Sequence, residues 1–226
     1  MEVLEGKIAL VTGSSGGLGS SIAKEMSQRG CIVHVTGRNS DKLAEIEGNG
    51  RFAGSHIVDL RNISKLESLI EEVRPEILVN CAGLFPVGGI VESDKEEFDE
   101  AFEVNVRAPY FLTKFAITHM EGWGRVVNIG SSSSYSGFAG TSIYCASKHA
   151  LLGISRSLFH ELKDSGIRVF CVSPGSIKTE MGLKVKGQDY ETFIEPEDIA
   201  KLICDTIGQD GNMITEEIRI NRMYIQ

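Results

Sequence analysis

The sequence predicts an α/β protein, with a parallel, doubly wound sheet covered by helices on both faces. Three observations lead there. Short apolar runs, each closed by glycine or a polar residue, alternate with stretches of helical periodicity along most of the 226 residues. The runs read as buried strands rather than half-solvated ones. The intervals between them have the length of crossover helices, which is what parallel pairing demands.

Composition sets the outer bounds. An apolar content of 42% and a charged content of 24% are those of a globular chain with a substantial core. A net charge of −8 argues against a nucleic-acid or acidic-membrane partner, since either needs basic excess. Five cysteines, at 31, 81, 145, 171 and 204, are widely spaced and contain no C-x-x-C pair, so they read as small core residues in a reducing compartment, with no metal expected. The start, Met1 to Lys7, is acidic, and no run reaches membrane-spanning length, so a cytoplasmic protein is expected. With no repeat, low-complexity tract or linker, one domain over residues 1–226 is the economical organisation.

The first strand is expected over Lys7 to Thr12. It runs into Gly13-Ser14-Ser15-Gly16-Gly17-Leu18-Gly19 and then into a helical pattern carrying Ile22, Ala23 and Met26 up to Gly30. Strand, glycine turn and helix N-terminus in that order make an anion site, because free backbone N–H groups face a phosphate that no side chain keeps away. A second strand is expected from Cys31 to Thr36, closing a βαβ unit. A carboxylate at its end would bind a ribose 2′-OH, whereas an arginine accommodates a 2′-phosphate. The chain has Gly37-Arg38-Asn39 there, which favours NADP(H) and leaves NAD(H) open.

A helix over about 41–47 leads through Gly48-Asn49-Gly50 to a strand near 55–58, followed by Asp59-Leu60. A helix over 63–73 stops before Pro75, and the strand Ile77-Leu78-Val79-Asn80 is closed by Cys81-Ala82-Gly83. Gly13, Arg38, Asp59 and Asn80 would then all emerge at the carboxyl edge of the sheet, where ligands of such folds sit. A long helix over about 94–119 carries apolar Phe98, Phe102, Val106, Phe111, Leu112, Phe115 and Ile117. Asn105 interrupts that pattern, either as a solvated polar residue or as a hydrogen-bonding post beneath a site.

The strand from Arg125 to Gly130 delivers the serine run Ser131 to Ser134. The next helix, from near Ser142, has Ala146, Ala150, Leu151, Ile154 and Leu158 as its apolar stripe and carries Tyr144 and Lys148. Four residues apart, these two share a helix face, so a phenol and an ammonium meet a common space. A cation beside a phenol of ordinary pKa ~10 lowers it, which would let Tyr144 exchange a proton with a substrate oxygen. A strand from 167 to 172 turns out through Ser173-Pro174-Gly175 toward Ile177 and Thr179. Residues 181–195 lack a period and read as a short, mobile substrate lid. Glu195-Pro196-Glu197-Asp198 starts a last helix, and 217–220 a last strand.

Together these stretches resemble the short-chain dehydrogenase/reductase family in its single-domain form, from Lys7 to about Thr179. Thr12-Gly13-x-x-x-Gly17-x-Gly19 is similar to its cofactor loop, Asn80-x-Ala82-Gly83 to its N-x-A-G element, and Tyr144-x-x-x-Lys148 to its catalytic pair. The resemblance implies a Rossmann-type, three-layer α/β/α fold. It also implies hydride transfer between nicotinamide and a carbonyl or alcohol, with Asn105, Ser131, Tyr144 and Lys148 as catalytic residues. Ser132, Ser133 and Ser134 reach the same loop, but Ser131 has the family's separation of thirteen residues from Tyr144. The implied cofactor contacts are Gly13, Ser15, Gly17, Leu18 and Gly19, then Arg38, Asp59, Leu60, Asn80, Ala82 and Gly83. Tyr144, Lys148, Pro174, Gly175, Ile177 and Thr179 complete them.

The implied assembly is a homodimer or homotetramer through the long helices. The chain departs from the family in lacking a basic residue at Ser15 or Gly16, in its short charged lid, and in its ending Asn221-Arg222-Met223-Tyr224-Ile225-Gln226. The competing readings are a catalytically weak NADP-binding sensor or scaffold of the same fold, and an epimerase or dehydratase, for which little chain remains after Thr179.

Overall fold

The computed structural model describes residues 3–49 and 52–223. Its first half runs β1 (Ile8–Val11), α1 (Gly17–Gln28), β2 (Ile32–Gly37), α2 (Ser40–Asn49), β3 (Gly54–Ile57), α3 (Ile63–Val73) and β4 (Ile77–Asn80). The second half runs α4 (Lys95–Phe102), a π-helical turn (Glu103–Arg107), α5 (Ala108–Ala116), β5 (Gly124–Ile129), α6 (Ser142–Leu162), β6 (Ile167–Pro174), α7 (Pro196–Ile207) and β7 (Glu217–Ile220). The expected strands are all present, and so are the expected helices except that the long one is divided. Gly50 of the expected turn, Met1 and Glu2 of the acidic start, and Tyr224, Ile225 and Gln226 of the ending lie outside the described residues.

The strands form one sheet in the order β3-β2-β1-β4-β5-β6-β7, every neighbouring pair parallel. Strand order reverses between β1 and β4, where Val11 is in register with Val35 on one side and Val79 on the other. The crevice beyond the carboxyl ends of β1 and β4 is therefore the switch point at which such sheets take ligands.

Each sheet face carries its own core. On one side Ile22, Ala23 and Met26 of α1 and Ile199, Ile203 and Ile207 of α7 pack on Val11, Val33, Val79 and Val127. On the other, Leu66 and Ile70 of α3, Leu112 and Ala116 of α5 and Phe159 of α6 pack on Leu10, Leu78, Val126 and Val169. Successive residues of a strand point to opposite faces, so a double cover needs apolar residues at every position, as β4 has in Ile77-Leu78-Val79.

Two expectations about helices are corrected. The long helix is not continuous: the turn Glu103–Arg107 closes with the Ala108 N–H on the Glu103 carbonyl, one residue wider than an α-turn. The apolar residues expected to form its core face are only partly covered. Leu112 is buried, but Phe98 is 45% exposed and Phe102, Val106 and Phe111 are half-buried. The inward face is instead Ala101, Val104, Asn105, Ala108 and Thr113. In α6 likewise, Ala146 is exposed and Ala150 and Ile154 half-buried, while Tyr144, Lys148, Leu151, Leu152 and Ser155 turn inward. Polar and small residues thus share these inner faces with apolar ones.

Candidate active site

The glycine turn sits at the head of α1. Gly13 and Gly17 have positive φ, +71° and +56°, which disfavours any side chain there. A Cβ on Gly13 would lie 2.7 Å from the Cα of Ala82, and one on Gly19 would collide with the Gly13 carbonyl oxygen. These two glycines let the turn pack against the loop after β4. Gly16 has a different reason, since a Cβ there would meet nothing within 4 Å and the space in front of it is open. Gly16 is also the N-cap of α1, no side chain caps the helix, and no acid lies in its first turn. The first N–H groups of α1 thus lack a protein acceptor and face open space, which fits a pyrophosphate.

Around this turn the structure gathers most of the expected cofactor residues. Thr179 brings a methyl carbon within 3.1 Å of a Cβ on Gly17, and Ser15 packs on Gly37 at the end of β2. Arg38 stands next on the chain, 57% exposed, with its Nη1 3.4 Å from Glu100. Ala82 and Gly83 line the crevice. Pro174 ends β6, and Gly175 donates to the Ile220 carbonyl at 2.8 Å. Ile177 pairs with Ile194, so both ends of residues 181–195 are held at a common base. Within that segment Thr192 accepts a 2.7 Å hydrogen bond from Arg222, and the Arg222 guanidinium lies 5.2 Å from the centre of the Phe193 ring.

The side chains of four expected contacts are engaged within the protein. The Asn80 amide points into the molecule and donates to Asn128 at 2.8 Å, and Asn128 in turn donates to Ser155 at 2.9 Å. Asn80 thus braces β4 against β5 and α6 from below the crevice. Leu18 and Leu60 are buried in the two cores, 6% and 7% exposed. Asp59 is held by its neighbour: Arg61 Nη2 and Nε lie 2.7 and 3.0 Å from its oxygens, and the Arg61 N–H donates at 3.0 Å. Those bonds hold the Asp59 carboxyl down at about 2.

The catalytic candidates converge at the carboxyl end of β5. Ser131 is fixed by its own turn, its Oγ accepting from the Ser133 N–H at 3.1 Å while its N–H donates to Ser134 Oγ at 3.1 Å. Ser133 and Ser134 are buried, and Ser131 is the serine whose side chain acts on the Tyr144 phenol, pulling its pKa down. Tyr144 and Lys148 are 8% and 4% exposed. Lys148 donates to the Ile129 carbonyl at 2.7 Å, and its Nζ lies 5.8 Å from the Tyr144 ring centre. Asn105, fully buried, accepts from the Leu84 N–H at 2.7 Å and donates to the Leu84 carbonyl at 2.9 Å and to Ser147 Oγ at 3.0 Å. Of its two sequence readings, the buried post is the one observed. A Cβ on Gly83 would come 3.3 Å from Asn105 Oδ1 and 3.6 Å from Lys148 Nζ, so glycine at this point keeps those two groups adjacent.

The electrostatics correct one expectation. Burial pushes the Tyr144 phenol up to about 12, against a downward pull from the Ser131 side chain, and burial pushes the Lys148 ammonium down to about 8. The phenol is not lowered by the lysine in this structure. Desolvation dominates both groups, and the ammonium spends its short contact on a carbonyl rather than on the phenol oxygen.

Three residues that shape the site were not among the expected site residues, although Thr12 heads the glycine motif. Thr12 Oγ1 accepts from the Cys81 and Ala82 N–H groups at 3.0 and 3.1 Å and so shapes the loop after β4. Ser147 donates to the Tyr144 carbonyl at 2.8 Å and joins α6 to Asn105. Phe85 sets its ring edge-on to Tyr144, with centres 4.6 Å apart. Ser147 left a signal, being a polar residue between the two catalytic candidates on the inward face of α6.

Sheet order, crevice and buried tyrosine–lysine pair define a dinucleotide-dependent oxidoreductase of the doubly wound class. The family model described as short chain dehydrogenase matches residues 7–189, and the chain belongs to the short-chain dehydrogenase/reductase family, whose members bind nicotinamide cofactors. It is 33% identical to a 3-oxoacyl-(acyl-carrier-protein) reductase of Rickettsia bellii, over 94% of this chain and 93% of that one. It is 34% identical to a hydroxynaphthalene reductase of Aspergillus fumigatus, over 95% and 90%. A short chain dehydrogenase from Burkholderia cenocepacia, solved in complex with NADP, superposes with a TM-score of 0.87 at 32% identity, covering 96% of this chain and 97% of that one. Among the described residues no helix is long and apolar enough to cross a membrane.

Proposed function

We propose that the chain is an NADP(H)-dependent carbonyl reductase or alcohol dehydrogenase in which Tyr144 exchanges a proton with the substrate oxygen. The observation that carries this reading is the buried Tyr144 at the mouth of the Ser131 turn, with buried Lys148 one turn further along the same helix and its Nζ 5.8 Å from the Tyr144 ring centre. A nicotinamide cofactor, when bound, supplies or accepts the hydride. The glycine turn and the uncapped N-terminus of α1 hold its pyrophosphate, and Arg38 its 2′-phosphate.

The protein's own groups then have separate tasks. Tyr144, its phenol kept protonated by burial, is the acid toward a carbonyl oxygen. Ser131 holds that oxygen and stabilises the charge that develops on it. Lys148 keeps a positive charge behind the phenol and, with Asn105, leads the replacement proton in through ordered water. Phe85 places an aromatic edge against the Tyr144 ring and favours substrates with an apolar body beside the carbonyl. The reductases of Rickettsia bellii and Aspergillus fumigatus support a substrate of that kind.

The test is a panel of aldehydes, ketones, quinones and oxoacyl thioesters, followed by NADPH oxidation with the wild type and Tyr144→Phe. Reduction of at least one compound by the wild type, lost in Tyr144→Phe with NADPH binding intact, is the expected result. Full turnover in the variant would refute the role of Tyr144. A wild type that binds NADPH and reduces nothing would be the sensor or scaffold.

A further inference from the structure

Next to Arg38 the structure holds a second arginine arranged for binding. The Arg61 backbone is pinned at both its polar groups, its N–H donating to Asp59 at 3.0 Å and its carbonyl accepting from Arg107 Nη2 at 3.0 Å. Its Nε and Nη2 are taken up by the Asp59 carboxylate. What remains is one corner, Nη1, and it lies 3.5 Å from Oε1 of Glu100. The same oxygen lies 3.4 Å from Nη1 of Arg38. One acidic oxygen from α4 is thus the shared acceptor of two arginines that arrive from the ends of β2 and β3.

Both contacts are long for charge-assisted hydrogen bonds, and the Glu100 side chain is 40% exposed. Half-exposed ion pairs of this length contribute little and exchange readily. A phosphate monoester carries more charge than a carboxylate and presents three acceptor oxygens where Glu100 offers one.

We propose that Glu100 is an internal stand-in for the 2′-phosphate of NADP(H), and that Arg61, with Arg38, is its second cationic partner. The proposal rests on the NADP(H) reading above and adds two specificity-determining residues to it. On binding, the phosphate replaces Glu100 as the shared acceptor, and the displaced carboxylate competes with it throughout. Asp59 keeps Arg61 aimed at the site. This arrangement does without a basic residue in the glycine turn, where the chain has Ser15 and Gly16.

The test is calorimetric titration of the cofactor-free protein with adenosine 2′,5′-bisphosphate and with adenosine 5′-monophosphate. The ratio of the two affinities isolates the 2′-phosphate, because damage to the adenosine site affects both ligands. Relative to wild type, Glu100→Gln is expected to raise the ratio about 3-fold and Arg61→Met to lower it about 5- to 10-fold, with Arg38→Met lowering it at least as far. A gain of affinity in Glu100→Gln is an outcome that mere loss of structure does not produce. If Arg38→Met abolishes the preference while Arg61→Met and Glu100→Gln leave the ratio unchanged, the roles of Arg61 and Glu100 are overturned and the NADP(H) reading stands. A wild-type ratio near one overturns the NADP(H) reading and this proposal with it.

Discussion

Lys148 Nζ donates a 2.7 Å hydrogen bond to the Ile129 carbonyl and lies 5.8 Å from the centre of the Tyr144 ring. The two groups are one helical turn apart and both are buried, so each is shifted toward its neutral form. Tyr144 starts as a proton-loaded acid, and Lys148 is a cation close to losing its charge.

That pairing sets the pH dependence of carbonyl reduction. Tyr144, near 12, stays protonated through the neutral and mildly alkaline range, whereas Lys148 loses its charge as pH rises through about 8. The rate of reduction, as kcat/KM with NADPH, is therefore expected to be level below pH 7 and to fall about tenfold per unit well above 8. A profile that stays level to pH 10 would contradict the role of the ammonium.

The same lysine has a cost in stability. Its folded pKa lies below the ordinary value of 10.5, so between about 8 and 10.5 the unfolded chain binds the extra proton. Stability on this account rises with pH across that window, and below it the full penalty applies. Lys148→Met is expected to abolish reduction and to stabilise the fold by about 1–2 kcal/mol at pH 7, after the lost Ile129 hydrogen bond is set against the removed charge. Urea denaturation at pH 7 and pH 10 checks this, with the gain shrinking at the higher pH.

Asn105→Ala removes three hydrogen bonds at once and leaves the Leu84 N–H and carbonyl without their partner. The expected loss is about 2–4 kcal/mol, with kcat falling as well because the Ser147 link to the Tyr144 turn goes with it. Denaturation midpoints and kcat for this variant beside Asn105→Asp separate the two effects.

A second pH effect lies far from the crevice. His34 Nδ1 is 3.0 Å from His56 Nε2, and the rings stack with centres 5.3 Å apart. Burial and the facing His56 lower the His34 pKa, while Glu72 on α3 pulls the other way. The unfolded chain therefore takes the proton first, and stability is fully present above the ordinary value of 6.5 and is lost as pH falls below it. The melting temperature is expected to drop more between pH 7.5 and 5.5 in wild type than in His34→Gln, as differential scanning fluorimetry would register.

The outward apolar face of the π-turn region and α6 carries the expectation of self-association. Phe102, Val106, Tyr110 and Phe111 surround a groove of about 400 Å³ with Ile154. A second copy of the chain packed on this face would give the expected dimer. Tyr110→Glu, at a position 46% exposed, is expected to shift sedimentation to the monomer with little change in folding. An unchanged sedimentation coefficient would place any interface elsewhere.

Much of this was legible in the chain. Period and glycine punctuation located every strand to within about two residues, because a strand covered on both faces must be apolar at each position and must stop where the chain turns. The convergence of the strand ends followed from parallel pairing alone. Of the apolar residues of the long helix, Leu112, Phe115 and Ile117 pack on the core while others lie outward, since periodicity reports a stripe without saying what covers it. Phe98 and Phe111 look like core residues and instead lie toward the surface.

The sequence by itself determined the sheet, the glycine turn and the spacing of Ser131, Tyr144 and Lys148, because these depend on local geometry and on residues close along the chain. Only the tertiary structure decided the states of those groups. It turned Asn80 away from the crevice, gave Asn105 its three hydrogen bonds, raised the Tyr144 phenol instead of lowering it, and set Arg38 and Arg61 on one oxygen of Glu100. Burial and contacts between residues as far apart as Arg38 and Glu100 control desolvation and charge pairing, and neither is expressed in the spacing of a motif.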